Sequence, residues 1–235
     1  MSIQALGMEF GYEFAQKHGF KFQKPPRPEI PVSPANADQF TGASYICQAK
    51  FDGSAKIVHV KDAANWCVWT RHGEWRAFRS GSSYYVSGPQ SAKMIQSMDD
   101  LAMFNGEFTV AGEWLDKAKP IVKDAKEFAT GFVVWDVLEH PHIRKLTDGY
   151  QRRMAYLRDQ VAEKQVPMIP ATQFVTDALS IVLDYDCKDP KTSYHNMTTM
   201  GELYEGLVFR NPNAPVLDHR NLFKIRRAKA GIYQF

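Results

Sequence analysis

The chain has 235 residues, of which 44% are hydrophobic, 23% charged and 13% aromatic, and its net charge is +3. That is enough apolar material for one large buried core, with too many aromatics and too little net charge for a disordered chain. No apolar run approaches the ~20 residues needed to cross a bilayer, and the mild basicity suits a phosphate-bearing partner without specifying one.

Residues 1–44 read as a lead-in. Ile3 to Lys17 has the spacing of a short helix, and KFQKPPRPEIPVSP follows with five prolines. Proline fixes φ and removes a donor, so this stretch is extended. From Tyr45 the pattern turns strand-like: YICQAKF, AKIVHV and WCVWTR are rich in β-branched and aromatic residues. Gly81 to Gly88 reads as a loop. Ser91 to Phe104 has helical spacing through Met94, Met98 and Leu101.

GEFTVAGEWL and GFVVWDVL are strands, separated by the charged DKAKPIVKDAKE, expected as a loop or short helix. Gly149 to Glu163 is a helix with Tyr150, Met154, Leu157 and Val161 on one face. PMIPATQFV suggests a strand, Asp177 to Leu183 a short helix, and LYEGLVFR and NLFKIRR the last strands. The order implies an α+β fold of mostly antiparallel sheets flanked by helices. Cys47, Cys67 and Cys187 lie far apart, without zinc spacing, and read as small buried hydrophobes. With no basic region and hydrophobic stretch at the N-terminus, a reducing, cytoplasmic setting is expected.

Several short segments carry chemistry. In KFDG, Lys50 and Asp52 alternate onto one face of an extended chain, and Gly53 permits close backbone approach. Taken alone, this is equally a β-turn. GEW puts Glu113 on a strand, FVVWDV follows from Phe132, EGLVFR begins at Glu205, and FKIR carries Lys224 and Arg226 on one face. Each alone is a strand end or a solvated charge; together, in this order, they are not.

KFDG, GEW, FVVWDV, EGLVFR and FKIR resemble the five ordered nucleotidyl motifs of the covalent nucleotidyltransferases, which comprise DNA ligases, RNA ligases and mRNA-capping guanylyltransferases. The likeness runs from Tyr45 to Arg227. It implies an ATP-grasp-like nucleotidyltransferase domain over 45–235, preceded by the N-terminal helix and proline-rich lead-in over 1–44. Nine residues follow Arg226, too few for an OB-fold domain, so none is expected.

The resemblance also implies roles. Lys50 would be the nucleophile, forming a lysyl-N–AMP bond. Asp52 would contact the nucleotide or its metal shell, Arg71 the ribose or a polynucleotide phosphate, and Glu113 the ribose or metal waters. Phe132 would stack on adenine, Glu205 would help position the metal, and Lys224 and Arg226 would grip the α-phosphate. Gln48 and Gly53 complete the ATP-binding set. The cofactors implied are ATP and Mg²⁺, with Mn²⁺ as a substitute, held by Asp52, Glu113 and Glu205 mainly through water, as a hard cation prefers.

Two positions depart from the pattern. DNA ligases and capping enzymes carry an arginine where Ala55 stands, and the neighbouring Lys56 would point to the opposite face of a strand. The fourth motif usually ends in lysine, and here it ends in Arg210, which keeps the charge and changes the geometry. KFDGS, GEW and Ala55 look more like phage-type RNA ligases, so an RNA ligase is favoured, with a minimal DNA nick ligase as the alternative. A capping-type enzyme would take GTP, and a binding protein with a decayed pocket would not need Lys50. The expected partner is nucleic acid, RNA before DNA, with no membrane partner. Arg76, Arg79, Arg152 and Arg153 are candidates for its basic face by charge alone. The sequence leaves the oligomeric state open.

Overall fold

The computed structural model describes residues 2–5, 11–28, 30–42, 44–88, 92–120, 123–126, 128–145, 147–164, 168–169, 178–182, 184–186 and 188–227. The chain begins with β1 (Ser2–Ala5), α1 (Gly11–Lys17), β2 (Ile30–Pro31) and a 3₁₀ helix over Pro34–Phe40. A run of strands follows: β3 (Ile46–Phe51), β4 (Ser54–Asp62), β5 (Asn65–Thr70), β6 (Trp75–Ser80) and β7 (Ser83–Val86). Then come α2 (Ala92–Ala102), β8 (Phe108–Pro120), β9 (Phe128–Glu139) and α3 (Tyr150–Lys164). The last elements are β10 (Met168–Ile169), β11 (Leu179–Val182), β12 (Tyr185–Asp186), α4 (Pro190–Met200), β13 (Tyr204–Arg210) and β14 (Leu222–Arg226).

These strands form a nine-stranded sheet, β1-β7-β6-β5-β4-β8-β9-β11-β10, and a five-stranded sheet, β12-β3-β13-β14-β2. β3 lies in the small sheet and β4 in the large one, so Asp52–Gly53 is the crossing point between them. Most pairs are antiparallel; β1 with β7, β9 with β11, β10 with β11 and β2 with β14 are parallel.

The central strands of the large sheet are covered on both faces, which explains their near-continuous apolar runs. On one face Val58, Val60, Trp66 and Phe108 meet Met94, Met98 and Leu101 of α2 and Tyr150, Met154 and Leu157 of α3. On the other, Trp69, Trp75 and Phe78 are capped by Phe20 and Phe22. The small sheet closes against the large one through Phe51, Leu207, Phe209 and Ile225 packed with Leu115 and Val133. Each such side chain removed from water contributes about 1.5–3 kcal/mol.

The α+β class and the helices carrying Met94 and Tyr150 stand as read from the sequence. Other elements differ. Ser2–Ala5 is a strand beside β7, and the helix of the lead-in spans only Gly11–Lys17. The Gly81–Gly88 stretch contains β7, completing a hairpin with β6. The charged stretch after Leu115 continues β8 to Pro120, because β9 offers it a partner at Ala129 and Phe128. Leu179–Val182 is a strand, since parallel pairing with β9 buries all its side chains. Of PMIPATQFV, Met168–Ile169 is strand, and residues 170–175 lie outside the described residues, as does Cys187. The helix α4 went unread, although Asp189 caps its N-terminus and Pro190 opens it. Cys47 and Cys67 are buried, as read from the sequence. Residues of the lead-in join both sheets, through β1 and β2. Among the described residues, no helix is long and apolar enough to cross a membrane.

Candidate active site

Strand parity builds one wall. On β3 Cys47, Ala49 and Phe51 point into the core, which turns Gln48 and Lys50 to the other face. On β13 Leu207 and Phe209 are buried, leaving Val208 and Arg210 facing the cleft. On β14 Ile225 anchors the strand and Lys224 and Arg226 face out. The register sets Lys50 opposite Gly206 and Gly206 opposite Arg226, with Gln48, Val208 and Lys224 on the next rung.

Glu205 owes its position to an irregularity. Tyr204 pairs with Phe51 and Gly206 with Lys50, so Glu205 is an extra residue without a partner on β3. Such a bulge re-aims a side chain. Here it brings the Glu205 carboxylate onto the Lys50 ammonium, in a hydrogen-bonded ion pair, with Arg226 Nη1 at 3.8 Å on its other oxygen.

The facing wall comes from the large sheet. Glu113 on β8 lies opposite Ala55 on β4. The Asp52–Gly53 turn presses against β8 so closely that a Cβ on Gly53 would stand 2.6 Å from the Trp114 carbonyl oxygen and 2.9 Å from Glu113 Cγ. Burial, reinforced by Glu205 and Asp52 and opposed by Lys50 and Lys56, pushes the Glu113 carboxyl up to about 7. Asp52 itself is paired with Lys119 from the extended part of β8.

Lys56 also lines the cleft, beside Ser54 and Ala55, and its contact with Ser54 keeps it on the strand face opposite Ala55. Its ammonium donates to Ser54 Oγ at 2.7 Å, and burial holds it below the usual lysine range.

Phe132 is not at the cleft. It is 1% exposed and packed in the large-sheet core, with its ring over Gly112, where a Cβ would stand 2.4 Å from Cζ. It cannot stack on a nucleotide base. Trp135 from the same segment lines the cleft instead. Ala111 pairs with Asp136 and Gly112 with Val134, so Trp135 is an extra residue on β9; alternation sets it on the face opposite Phe132, and the bulge shifts the faces of the residues that follow, so that Val137 rejoins Phe132 and Val134 in the core.

Behind Trp135 lies a buried polar network. Asp136, fully buried, accepts from Arg153 Nε at 3.0 Å, Arg153 Nη2 at 3.1 Å and Arg210 Nη1 at 3.2 Å. Arg210 Nε donates to Gln48 Oε1 at 2.9 Å, while its guanidinium lies over the rings of Tyr150 and Trp135. The Gln48 amide donates to Tyr150 Oη and, at 2.7 Å, to Asp184. Gln48 thus forms the back of the cleft and holds Arg210. Arg153, expected on a basic surface, is 1% exposed and belongs to this network. Arg79 is tied to Asp99 at 3.0 Å and Arg76 to Glu74 at 2.7 Å; Arg152 stays exposed.

Together these residues line a cleft of ≈ 600 Å³, a size that holds a small ligand. Lys50, Asp52, Gly53, Arg71, Glu113, Glu205, Lys224, Arg226 and Gln48 all line it, the last on its floor. Its basic side chains (Lys24, Arg27, Lys50, Lys56, Arg71, Arg210, Lys224, Arg226) outnumber the acidic ones (Asp52, Glu113, Glu205), so an anion is favoured. Trp135 and the Lys24–Pro28 segment were not read from the sequence as site residues. A tryptophan next to the motif's aspartate was the one local signal.

The model of the RNA ligase family matches residues 43–226 of the chain. The chain belongs to the RNA ligase family. Among solved structures, this family member resembles mycobacterial DNA ligase D complexed with ATP and MES, with a TM-score of 0.55, 14% identity, and 88% of this chain covering 62% of that one. The ligase domain from M. tuberculosis LigD gives a TM-score of 0.56 at 14% identity over 88% of this chain and 61% of that one. A Lig E DNA ligase gives 0.51 at 13% identity over 85% and 68%. The chain thus spans about three-fifths of the length of the ligase D structures, and at these identities the likeness is one of fold. The fold is that of the ligase nucleotidyltransferase domain, and the chain is a member of the covalent nucleotidyltransferase superfamily. No individual curated protein matches in sequence.

Proposed function

We propose that the protein is an ATP-dependent RNA ligase that joins 5′-phosphate and 3′-hydroxyl ends through a lysyl-AMP intermediate. The observation that carries the reading is the Lys50 amine in the wall of a cleft of ≈ 600 Å³, with Glu205 on it and Lys224 and Arg226 on β14, one strand beyond Glu205. The family match favours RNA over DNA.

In the first step Lys50 Nζ attacks the α-phosphorus of ATP. An ammonium has no lone pair, so the amine leaves Glu205 and gives up a proton to solvent before attack. The N–P bond forms, the bond from phosphorus to the bridging oxygen breaks, pyrophosphate departs with that electron pair, and nitrogen loses a second proton. Lys224 and Arg226 stabilise the charge on the phosphoryl oxygens. Trp135 offers the base an aromatic face. AMP then passes to a 5′-phosphate, and a 3′-hydroxyl displaces it.

The residues present fit a hard divalent cation such as Mg²⁺. Among the described residues no group of three ligands stands close enough to grip an ion directly. Yet Glu113 is a carboxyl raised by burial and further by the neighbouring Glu205 and Asp52, a repulsion that a cation relieves. Glu113, Asp52 and Glu205 would hold it mainly through water, together with the nucleotide phosphates. When bound, it supplies neutralisation of phosphate charge.

The test is incubation with α-labelled ATP, or GTP, and Mg²⁺, comparing wild type with Lys50→Ala. Covalent label from ATP that the variant loses is the expected result. Sealing assays with RNA and with nicked DNA then assign the substrate; preferential sealing of nicked DNA would reverse the RNA reading. Absence of label in folded protein shown by intact mass to be free of AMP would sink the adenylylation reading.

A further inference from the structure

The proline-rich segment runs along the mouth of the cleft. Lys24, Pro25, Pro26, Arg27 and Pro28 line it, and Pro25 and Pro26 are buried. The segment then pairs in parallel with β14, Ile30 beside Phe223 and Pro31 beside Lys224, and the Val32 N–H donates to the Lys224 carbonyl at 2.9 Å. Nearer its start, the Arg27 N–H donates to His219 Nδ1 at 3.2 Å, in the loop that leads into β14. The strap is therefore pinned at Arg27 and again at Val32, to the strand that carries Lys224 and Arg226 and to the loop before it.

We infer that Arg27 is a further phosphate-binding residue of this cleft, holding the β- and γ-phosphates of the nucleotide, which depart as pyrophosphate. The inference rests on the adenylylation reading given above. Lys50, Lys224 and Arg226 already surround the place of the α-phosphate. Arg27 adds a fourth cation on the same wall, from a neighbouring segment, where the remainder of a triphosphate would extend.

The electrostatics agree with this placement. Burial holds the Lys224 ammonium below the usual lysine range, and the charges of Arg226, Arg27 and Lys50 push it the same way. These cations repel one another along the cleft wall, and a multiply charged phosphate chain relieves that repulsion. A guanidinium suits the task because its planar fork meets two phosphate oxygens at once. The prolines on either side of Arg27 fix its backbone beforehand, so less conformational freedom is lost on binding.

The same chemistry could serve a phosphate at a polynucleotide end, and the experiment separates the two sources. Full-length wild type, Arg27→Gln and Arg27→Lys are compared in three arms, after thermal melts confirm that the variants fold. These arms are the ATP dependence of Lys50 labelling, the concentration of inorganic pyrophosphate needed to strip AMP from adenylylated protein, and ATP-free sealing of a strand supplied with an adenylylated 5′ end. Arg27→Gln is expected to raise the ATP and pyrophosphate concentrations for half-maximal effect about tenfold, the loss of one charge-assisted contact. Arg27→Lys recovers part of this, and sealing stays near wild type.

Unchanged ATP and pyrophosphate dependence overturns the inference. So does a defect confined to sealing, which would give Arg27 to the polynucleotide. If wild type that is free of AMP by intact mass takes no label at all, the adenylylation reading has failed. Calorimetric binding of inorganic pyrophosphate to wild type and Arg27→Gln then decides the role of Arg27 by itself: equal binding, or none by wild type, overturns it.

Discussion

Gly206 on β13 stands opposite Lys50 on β3, and its lack of a side chain is what lets β14 close over the pair: a Cβ there would lie 2.0 Å from the Ile225 carbonyl oxygen. The glycine and the bulged Glu205 before it form one device. The bulge turns the carboxylate toward the lysine, and the glycine lets Arg226 approach from the next strand.

Gly206→Ala is therefore expected to force β13 and β14 apart. The obstacle is backbone, which cannot swing aside as a flexible side chain would. A loss of at least about 2 kcal/mol in chemical denaturation is expected, together with a large fall in Lys50 labelling. A variant with wild-type stability and labelling would show that the strand spacing does not matter.

Glu113 links stability to pH. Its carboxyl is raised from 4.5 to about 7 in the folded protein, so between those values the native state holds a proton that the unfolded chain releases. Its contribution to stability is full below about 4.5 and is lost as pH rises through about 7. Glu113→Gln is accordingly expected to be more stable than wild type at pH 8 by on the order of 1–2 kcal/mol, while labelling falls. In wild type, labelling should rise with pH through about 7 as the carboxylate forms, and Glu113→Gln should not show that step. Melting curves at pH 5 and pH 8 and a labelling pH profile check both parts; equal melting at pH 8 contradicts the stability part.

Trp135 and Phe132 should separate binding from folding. Trp135→Ala removes an aromatic face from the cleft and is expected to raise the KM for ATP about tenfold, since stacking on a base is worth about 1–3 kcal/mol. Phe132→Ala empties a core position and is expected to cost about 3–5 kcal/mol in stability, with the KM of the folded fraction unchanged. The reverse pattern, a KM effect at Phe132 alone, would return the stacking role to it.

Asp136 carries the buried network. Replacing it by alanine leaves the Arg153 and Arg210 guanidinium groups without their shared carboxylate in a dry interior, and a loss of about 3–5 kcal/mol is expected. Arg210→Lys keeps the charge and loses the fork that holds Gln48 and Asp136 together. Its expected effect is smaller in denaturation, with a weakened KM for ATP because Gln48 floors the cleft. A double-mutant cycle between Asp136 and Arg210 measures the coupling, and additive effects would show that the pair acts independently.

Much of the site was legible because it is local. Lys50, Asp52 and Gly53 are consecutive enough that strand parity alone orders them, and Lys224 and Arg226 share a face for the same reason. Glu113 is fixed by its strand. What failed was telling which face of a strand the cleft takes. Alternation along β9 sets Phe132 and Trp135 on opposite faces, but which face is covered by the helices and which meets the cleft is decided by the packing of distant segments, so no count along β9 reveals it. Arg153 looks like surface charge until Asp136 is found beneath it, 17 residues away. The charged end of β8 becomes strand because β9 pairs with it, against its own weak propensity.

The sequence by itself determined the chemistry: a lysine, three carboxylates and a pair of cations in an order whose short-range spacing settles which side chains share a face. Only the tertiary structure decided which aromatic lines the cleft, which arginines are buried, and that the proline-rich strap lies beside β14. Those facts depend on pairing between segments far apart in the chain, where one residue of register reverses a side chain's direction.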